Sequence, residues 1–205
     1  AQLEDMSDIK KEYNWKYGFR VYSGKALGNF VELNNFSKNS YGSSNAVLKD
    51  LEINSTGGKI PALSVYAIRQ WKSPRAGEFD IAIQSAAKST SKEAISYSVV
   101  VYKNDRVFKS INITNSAPQK IEVLNVSNAI NDKLEFAVVN NLKKELNYSL
   151  SINIVEKKDE NSLSPVTWNS TADFRGPIRK IDKELDAWER FAHILLMSNE
   201  MVFIN

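Results

Sequence analysis

The stretch VVVYKNDRVF, residues 99–108, decides the fold class of this chain. Residues that favour strands, β-branched or aromatic, stand on both sides of the pair Asn104-Asp105. Asparagine and aspartate tolerate the positive φ angles of a tight turn, so this pair is a strong hairpin signal. We therefore predict an antiparallel hairpin with strands in residues 94–102 and 106–112.

Short segments with the same character recur along most of the chain. They lie in residues 13–21, 47–53, 64–72, 77–84, 119–126, 133–139 and 148–155. Turn-forming pairs separate many of them, at Gly57-Gly58, Ser73-Pro74, Ala117-Pro118, Asn131-Asp132 and Asn140-Asn141. The Ser/Asn/Gly-rich residues 34–45 are predicted to be a loop. No helical pattern separates the strands, which excludes a parallel α/β fold. We predict a mainly β protein, an antiparallel, jelly-roll-like β-sandwich.

The carboxy-terminal residues 185–205 differ from this pattern. Large apolar side chains recur there at helical spacing, and Asp186 with Glu189 resembles a capping box, so we predict an amphipathic α-helix. The predicted domains are a lead-in (1–12), the sandwich (13–156), a linker with an irregular aromatic segment (157–184), and this helix and its tail (185–205). The helix is expected to pack on the sandwich or on a partner. Its candidate docking residues are Trp188, Phe191, Leu195 and Phe203.

Composition excludes several classes of protein. The 205 residues include 27 basic and 24 acidic side chains, with a net charge of +3 and no basic block interleaved with aromatics, so no nucleic-acid partner is predicted. No apolar run approaches the roughly 18 residues of a membrane span. The absence of cysteine excludes disulfides, thiolate metal sites and covalent haem attachment within this chain.

The sequence gives little support for a catalytic site or a metal-binding site. His193 is the single histidine, so the two-histidine zinc pattern on a helix cannot form. The loop carboxylates Asp105 and Asp132 stand singly. Sandwich domains often bind calcium through loop oxygens, which keeps calcium open as an alternative, but we assign no ligands to it. We predict no catalytic residues, no metal ligands and no cofactor in this chain.

Aromatic residues provide the best functional signal. Sugars stack their apolar faces on aromatic rings, while arginine and asparagine hydrogen-bond the hydroxyl groups. The candidate ligand-binding residues are Trp15, Tyr17, Arg69 and Trp71. The alternative is that these rings fill the core of the sandwich.

Six segments together resemble one protein family. They are WKYGF (15–19), GGKIP (57–61), AIRQWKSPRAGEFDI (67–81), NDKLEFAV (131–138), WNSTADFRGP (168–177) and the terminal LDAWERFAHILLMSNEMVFIN (185–205). In this order they are similar to the carboxy-terminal region of large planctomycete cytochrome c domain-containing proteins of the bacterial envelope. The chain departs from the family where Lys59-Ile60 replace the histidine of a Gly-His-Pro motif, at Asn147, and at His193, where the family has glutamine.

The resemblance implies a carbohydrate-binding-like sandwich that belongs to an exported, multidomain protein or complex of the cell envelope, in the periplasm or at the cell surface. The expected function is non-catalytic binding of a polysaccharide. The alternative is a structural docking subunit that holds a larger, cytochrome-containing assembly together through the terminal helix. Haem, if the assembly has it, would belong to a preceding domain or to a partner.

Overall fold

The computed structural model describes residues 14–62, 64–88, 95–157 and 165–177. Their strands in the first half of the chain are β1 (Trp15–Val21), β2 (Val31–Glu32), β3 (Asn35–Ser37), β4 (Ser40–Gly42), β5 (Glu52–Asn54), β6 (Gly57–Ile60), β7 (Val65–Lys72) and β8 (Gly77–Ala87). The second half contains β9 (Tyr97–Lys103), β10 (Arg106–Ile113), β11 (Gln119–Asn128), β12 (Lys133–Asn140), β13 (Leu146–Glu156) and β14 (Thr167–Asn169). A 3-10 turn spans Ala46–Leu48.

The strands form two antiparallel sheets. The first has six strands in the order β10-β9-β12-β7-β1-β2. The second has the order β11-β8-β13-β6-β5-β4-β3, and β14 pairs with β13 beside this path. The prediction of a mainly β, antiparallel sandwich is confirmed for the described residues.

The main core fills the space between the two sheets. Odd-numbered residues of β1 and β7 point into it, because alternate side chains of a strand face opposite sides. Trp71 of the six-stranded sheet contacts Phe79 and Trp168 of the other sheet, with ring centroids 5.4 Å away in both cases. Burial of these large rings supplies much of the hydrophobic stabilisation that joins the sheets.

A second, smaller apolar cluster lies on the outer face of the six-stranded sheet. Its buried members are Ile68, Val100, Tyr102 and Ala137, and partly buried Leu27 and Phe30 pack on them. The connection between β1 and β2, residues 22–30, therefore folds back over this face. The result is a sheet that is covered on one side by the core and partly covered on the other side by a loop.

The predicted hairpin is confirmed. Strands β9 and β10 pair on either side of Asn104 and Asp105, whose φ angles are +47° and +66°. Both angles are positive, as the primed hairpin turns require. A register shift between Val107 and Lys109 introduces a bulge into the edge strand just beyond the turn.

Three local predictions are wrong. Gly57-Gly58 lies in strand β6, and the turn comes earlier, at residues 55–56. Glycine is required at both positions because β5 and β13 approach the backbone there too closely for a side chain. The region 47–53 is mostly a 3-10 turn and loop, with only β5 at its end. The region 34–45 is not all loop, since β3 and β4 form a short hairpin there that extends the sheet. Lys38 and Asn39 supply its turn, with φ of +49° and +59°.

The predicted carboxy-terminal helix, residues 185–205, lies outside the described residues, as does the lead-in. Within the described ranges, no helix has the length and apolar character that crossing a bilayer requires.

Candidate functional site: a tyrosine-walled cavity on the outer face

The outer face of the six-stranded sheet contains a cavity of about 760 Å³. It lies between the 22–30 loop on one side and the tip of the β9–β10 hairpin on the other. We call it the outer-face cavity. Its lining consists of Lys16, Arg20, Tyr22, Leu27, Asn29, Phe30, Glu32, Tyr66, Gln70, Tyr102, Asp105, Val107, Lys133 and Glu135.

Three buried polar side chains form the floor of the outer-face cavity. An Arg20 Nη2 donates to Glu135 Oε1 over 2.9 Å, and Gln70 Nε2 donates to the same oxygen over 2.8 Å. They come from β1, β7 and β12, which are adjacent in the sheet, so the strand register places all three side by side. A buried carboxylate is tolerated here because it has a charged partner and two hydrogen bonds.

Arg20 also joins the two walls of the cavity. Its Nη1 donates to the backbone oxygen of Gly28 in the loop over 3.1 Å, and its Nη2 pairs with Asp105 at the hairpin tip. Burial alone would lower the Arg20 pKa, but the hydrogen bonds and charges of Glu135 and Asp105 outweigh burial and raise it. The guanidinium therefore stays charged and holds loop and hairpin in place.

The floor still has unused hydrogen-bonding capacity. Arg20 Nε and Glu135 Oε2 are buried and have no hydrogen-bond partner. One is a donor and the other is an acceptor, and both belong to charged groups, for which an unmade hydrogen bond is costly. A hydroxyl group, which donates and accepts at once, has the chemistry to satisfy such a pair.

Aromatic rings form the walls. Tyr22 and Tyr66 stack with ring centroids 6.3 Å apart and ring planes 18° from parallel. Tyr102 lies close enough to Tyr66 that its pKa is raised, first by burial and then by that neighbour. Phe30 covers Gly18, where an added Cβ would come within 2.6 Å of its ring. The cavity thus combines aromatic surface with a polar, charge-balanced floor.

The four residues predicted to bind sugar do not form an exposed surface. Trp15, Tyr17, Arg69 and Trp71 are only 6%, 3%, 1% and 0% exposed. The expectation of exposed rings at these positions is wrong. All four side chains are on the inner face of the six-stranded sheet, where the second sheet covers them. The alternation of side chains along β1 and β7 does not by itself indicate which face lies inside.

Two of these residues border a separate, smaller cavity. Trp15 and Tyr17 line a space of about 330 Å³ together with Tyr41 and residues of the segment 173–177. The Tyr17 ring packs on Tyr41 at 4.9 Å and on Phe174 at 4.7 Å. Burial raises the pKa of Tyr17 and raises that of Tyr41 to about 12, so both hydroxyls stay protonated.

Arg69 has a structural role in the interior. Its guanidinium donates to backbone oxygens of Asn54, Gly57 and Ser170 at 2.5, 3.1 and 3.1 Å. It also lies over the Tyr17 ring, 5.8 Å from its centroid. Burial lowers the pKa of Arg69. The side chain ties three chain segments of the second sheet to β7 of the first.

The remaining predicted site residues, Trp188, Phe191, Leu195 and Phe203, lie outside the described residues, so docking through them stays a prediction. His193 lies outside them too. Among the described residues, no group of three or more histidine, cysteine or acidic side chains is arranged to hold a metal ion. Calcium binding also stays untested, and Asp105 and Asp132 are instead paired with Arg20 and Lys103.

Sequence reasoning missed Arg20, Gln70 and Glu135. Each is a polar residue at an alternate position of a strand whose other positions are aromatic or aliphatic. That pattern normally indicates a solvent-exposed face. The signal that could have indicated burial is an apolar residue two positions away on the same face, Ile68 before Gln70 and Ala137 after Glu135.

No family model matches the chain, and no curated protein matches it either. Among solved structures, it is similar to a CBM36 carbohydrate-binding module in complex with calcium and xylotriose, with 14% identity, a TM-score of 0.35, and coverage of 60% of this chain and 92% of that one. It is similar to the CBM36-1 domain of a multidomain xylanase from the hindgut metagenome of Trinervitermes trinervoides, with 9% identity, a TM-score of 0.34, and coverage of 71% and 99%.

A PA14 sugar-binding domain from an RTX adhesin is similar at 10% identity and a TM-score of 0.36, with coverage of 77% of this chain and 95% of that one. Identities and TM-scores are low throughout. We therefore base the proposed function on the residues of the outer-face cavity alone.

Proposed function

We propose that the protein is a non-catalytic carbohydrate-binding module and that the outer-face cavity holds the sugar. One observation carries the proposal: the buried Arg20–Glu135–Gln70 network lies beneath the Tyr22, Tyr66 and Tyr102 rings. Sugar rings present apolar C–H faces and a rim of hydroxyl groups. This cavity offers matching partners for both.

The size and composition of the cavity fit a small polar ligand. Ligand pockets in proteins commonly occupy about 300–1,000 Å³ and combine aromatic walls with a few well-placed polar groups. The cavity of about 760 Å³ has room for a few sugar rings at most. Its polar groups are anchored, since Arg20, Gln70 and Glu135 hold one another in place, so binding would cost little side-chain entropy.

The pairing of the carboxylates favours binding over catalysis. Glycoside hydrolysis by the common mechanism needs one carboxyl group that gives up a proton and another that stays free to act as nucleophile or base. In the outer-face cavity, Glu32 pairs with Lys16 at 2.7 Å, and both Glu135 and Asp105 pair with Arg20. The acidic groups that line the cavity are therefore engaged in ion pairs.

Replacing Tyr22 with alanine should weaken sugar binding about 5- to 10-fold and leave the fold intact. Its ring is partly exposed and stacks on Tyr66, so the substitution removes a stacking surface rather than core. Aromatic stacking contributes about 0.5–1.5 kcal/mol, and the upper half of this range, about 1.0–1.4 kcal/mol, corresponds to a 5- to 10-fold loss of affinity. Native affinity gels containing β-glucan, arabinoxylan, galactomannan, polygalacturonate or alginate would show which polymer retards the protein. Calorimetry with that polymer would then measure the loss of affinity in the variant.

Leu124→Ala is the matched control, since Leu124 is an exposed apolar residue on β11 of the other sheet. It should migrate as the unmodified protein does. If none of the polymers retards the protein, or if Tyr22→Ala binds as tightly as Leu124→Ala, the outer-face cavity is not a sugar site.

We also propose that the module works in the bacterial cell envelope as part of a larger protein or complex. The family resemblance of the terminal segment and of WNSTADFRGP (168–177) supports this location. Fractionation of the native cells with an antibody against the sandwich tests it. Recovery in the cytoplasmic fraction would contradict it.

A further inference from the structure

Two lysines face each other across adjacent strands beside the outer-face cavity. Lys72 is the last residue of β7 and Lys133 is the first of β12, and the two are direct partners in the antiparallel register. Both side chains are exposed and lie two residues away from the outward-facing positions Gln70 and Glu135 on their strands. Directly opposed residues of an antiparallel pair have Cβ atoms about 5 Å apart, and like charges placed there are destabilising.

The described residues provide no acidic partner for this pair. Among the described residues, neither ammonium group forms an ion pair or a side-chain hydrogen bond. The acidic groups nearby are engaged elsewhere: Glu135 with Arg20, Glu32 with Lys16, and Asp132 with Lys103 at 3.4 Å. The cavity lining contains three acidic side chains, Glu32, Asp105 and Glu135, and three basic ones, Lys16, Arg20 and Lys133. Lys72, beside the lining, adds a further positive charge.

We infer that the carbohydrate held in this cavity is anionic and that Lys72 and Lys133 bind its acidic group. This inference rests on the proposed function and names the class of ligand. An acidic group between the two ammonium ions would relieve their repulsion and gain an attraction to each. Carboxylate and sulfate share the required charge, so a uronate-containing or a sulfated glycan would suit the pair.

The location of the lysines explains how one ligand could use both features. Lys133 lines the cavity itself, next along β12 on the same face as Glu135 of the floor. Lys72 extends the positive charge across to β7, beyond Gln70. A sugar ring against the tyrosines would thus have its acidic substituent directed toward the strand ends where the two lysines lie.

The test compares acidic and neutral glycans with the full chain. Polygalacturonate and alginate provide carboxylates, dextran sulfate and carrageenan provide sulfates, and galactomannan and β-glucan are neutral. The double variant Lys72→Gln/Lys133→Gln should lose about 10-fold in affinity for the preferred acidic polymer at low salt, and its binding should depend less on salt than that of the unmodified protein. The thermal midpoint of the variant should stay the same or rise, because the substitutions remove a repulsion.

Lys49→Gln is the control, because Lys49 is an exposed lysine beside the 3-10 turn, between β4 and β5 of the other sheet. It removes one positive charge, where the double variant removes two, and it should bind as the unmodified protein does. An equal loss in Lys49→Gln would overturn the inference in favour of unspecific attraction between charges.

The remaining outcomes separate the inference from the proposed function. Binding of a neutral glycan that is weakened by Tyr22→Ala but not by the double variant would overturn the inference and leave the proposed function standing. If no glycan retards the protein and the protein binds polyphosphate or DNA instead, both the inference and the proposed function are wrong. Preference for carboxylated over sulfated polymers, or the reverse, would identify the acidic group.

Discussion

Gly57→Ala should lower the free energy of unfolding by about 3 kcal/mol or more, or prevent folding altogether. A Cβ atom at this position would lie 2.0 Å from the backbone oxygen of Tyr148 and 2.7 Å from the Cα of Ser149. Both atoms belong to β13, which pairs with β6, β8 and β14 and cannot move aside. Overpacking usually costs about 1–3 kcal/mol, and a clash with fixed backbone lies at or beyond the upper end.

Denaturant unfolding followed by tryptophan fluorescence would measure the loss. Gly42→Ala is the matched control, since Gly42 is also a strand glycine of the same sheet but its nearest neighbour to an added Cβ is 3.9 Å away. It should change stability by less than about 1 kcal/mol. Equal stability of the two variants would show that the close approach of β6 to β13 is not required by the fold.

Arg69→Met should destabilise the protein by about 3 kcal/mol or more. The substitution keeps most of the side-chain volume but leaves the backbone oxygens of Asn54, Gly57 and Ser170 without their donor. Each buried acceptor that loses its partner costs about 1–3 kcal/mol. Removal of a buried cation offsets part of this loss, because burial disfavours the charged group, as the lowered pKa of Arg69 indicates.

The control is Arg106→Met, at an exposed arginine of the edge strand β10. It should change stability by no more than about 0.5 kcal/mol, as surface substitutions usually do. The same unfolding measurement serves both variants. If Arg69→Met were as stable as Arg106→Met, the desolvation of the guanidinium would cancel all of its hydrogen bonds, and Arg69 would have no role in joining the sheets.

Local chemistry made some elements predictable. The β9–β10 hairpin is an example, since Asn104 and Asp105 adopt the positive φ angles that the turn needs wherever the hairpin lies in the protein. Strand β7 is another: the prediction of residues 64–72 agrees with Val65–Lys72 to within one residue. In both segments the preference of each residue for its own conformation agrees with the final fold.

The two glycines Gly57 and Gly58 show where prediction from neighbouring residues alone gives the wrong structure. A pair of glycines predicts a turn because glycine accepts unusual backbone angles. Here neither residue has a positive φ, and the glycines are needed because neighbouring strands leave no space for a Cβ. That requirement arises from strands far away in the sequence, so no inspection of nearby residues could reveal it.

The residues of the candidate site could not be predicted from the sequence for a similar reason. Glu135 and Arg20 are 115 residues apart in sequence, and Glu135 and Gln70 are 65 apart. They become neighbours only because β1, β7 and β12 lie side by side with a particular register. A shift by one residue in any of these strands would exchange the two faces and replace the floor of the outer-face cavity with core side chains.

By itself, the sequence determined the class of the fold, the chemistry of its turns and the alternation of side chains along each strand. These depend on interactions between residues close together in the chain. Only the tertiary structure decided which of the two alternating faces is buried, so that Trp15, Tyr17, Arg69 and Trp71 became interior residues. It also decided that Arg20, Gln70 and Glu135 meet beneath a wall of tyrosines. Which strands pair, and in which register, depends on contacts over the whole chain, because burial is gained by the assembled sheets and not by any one segment.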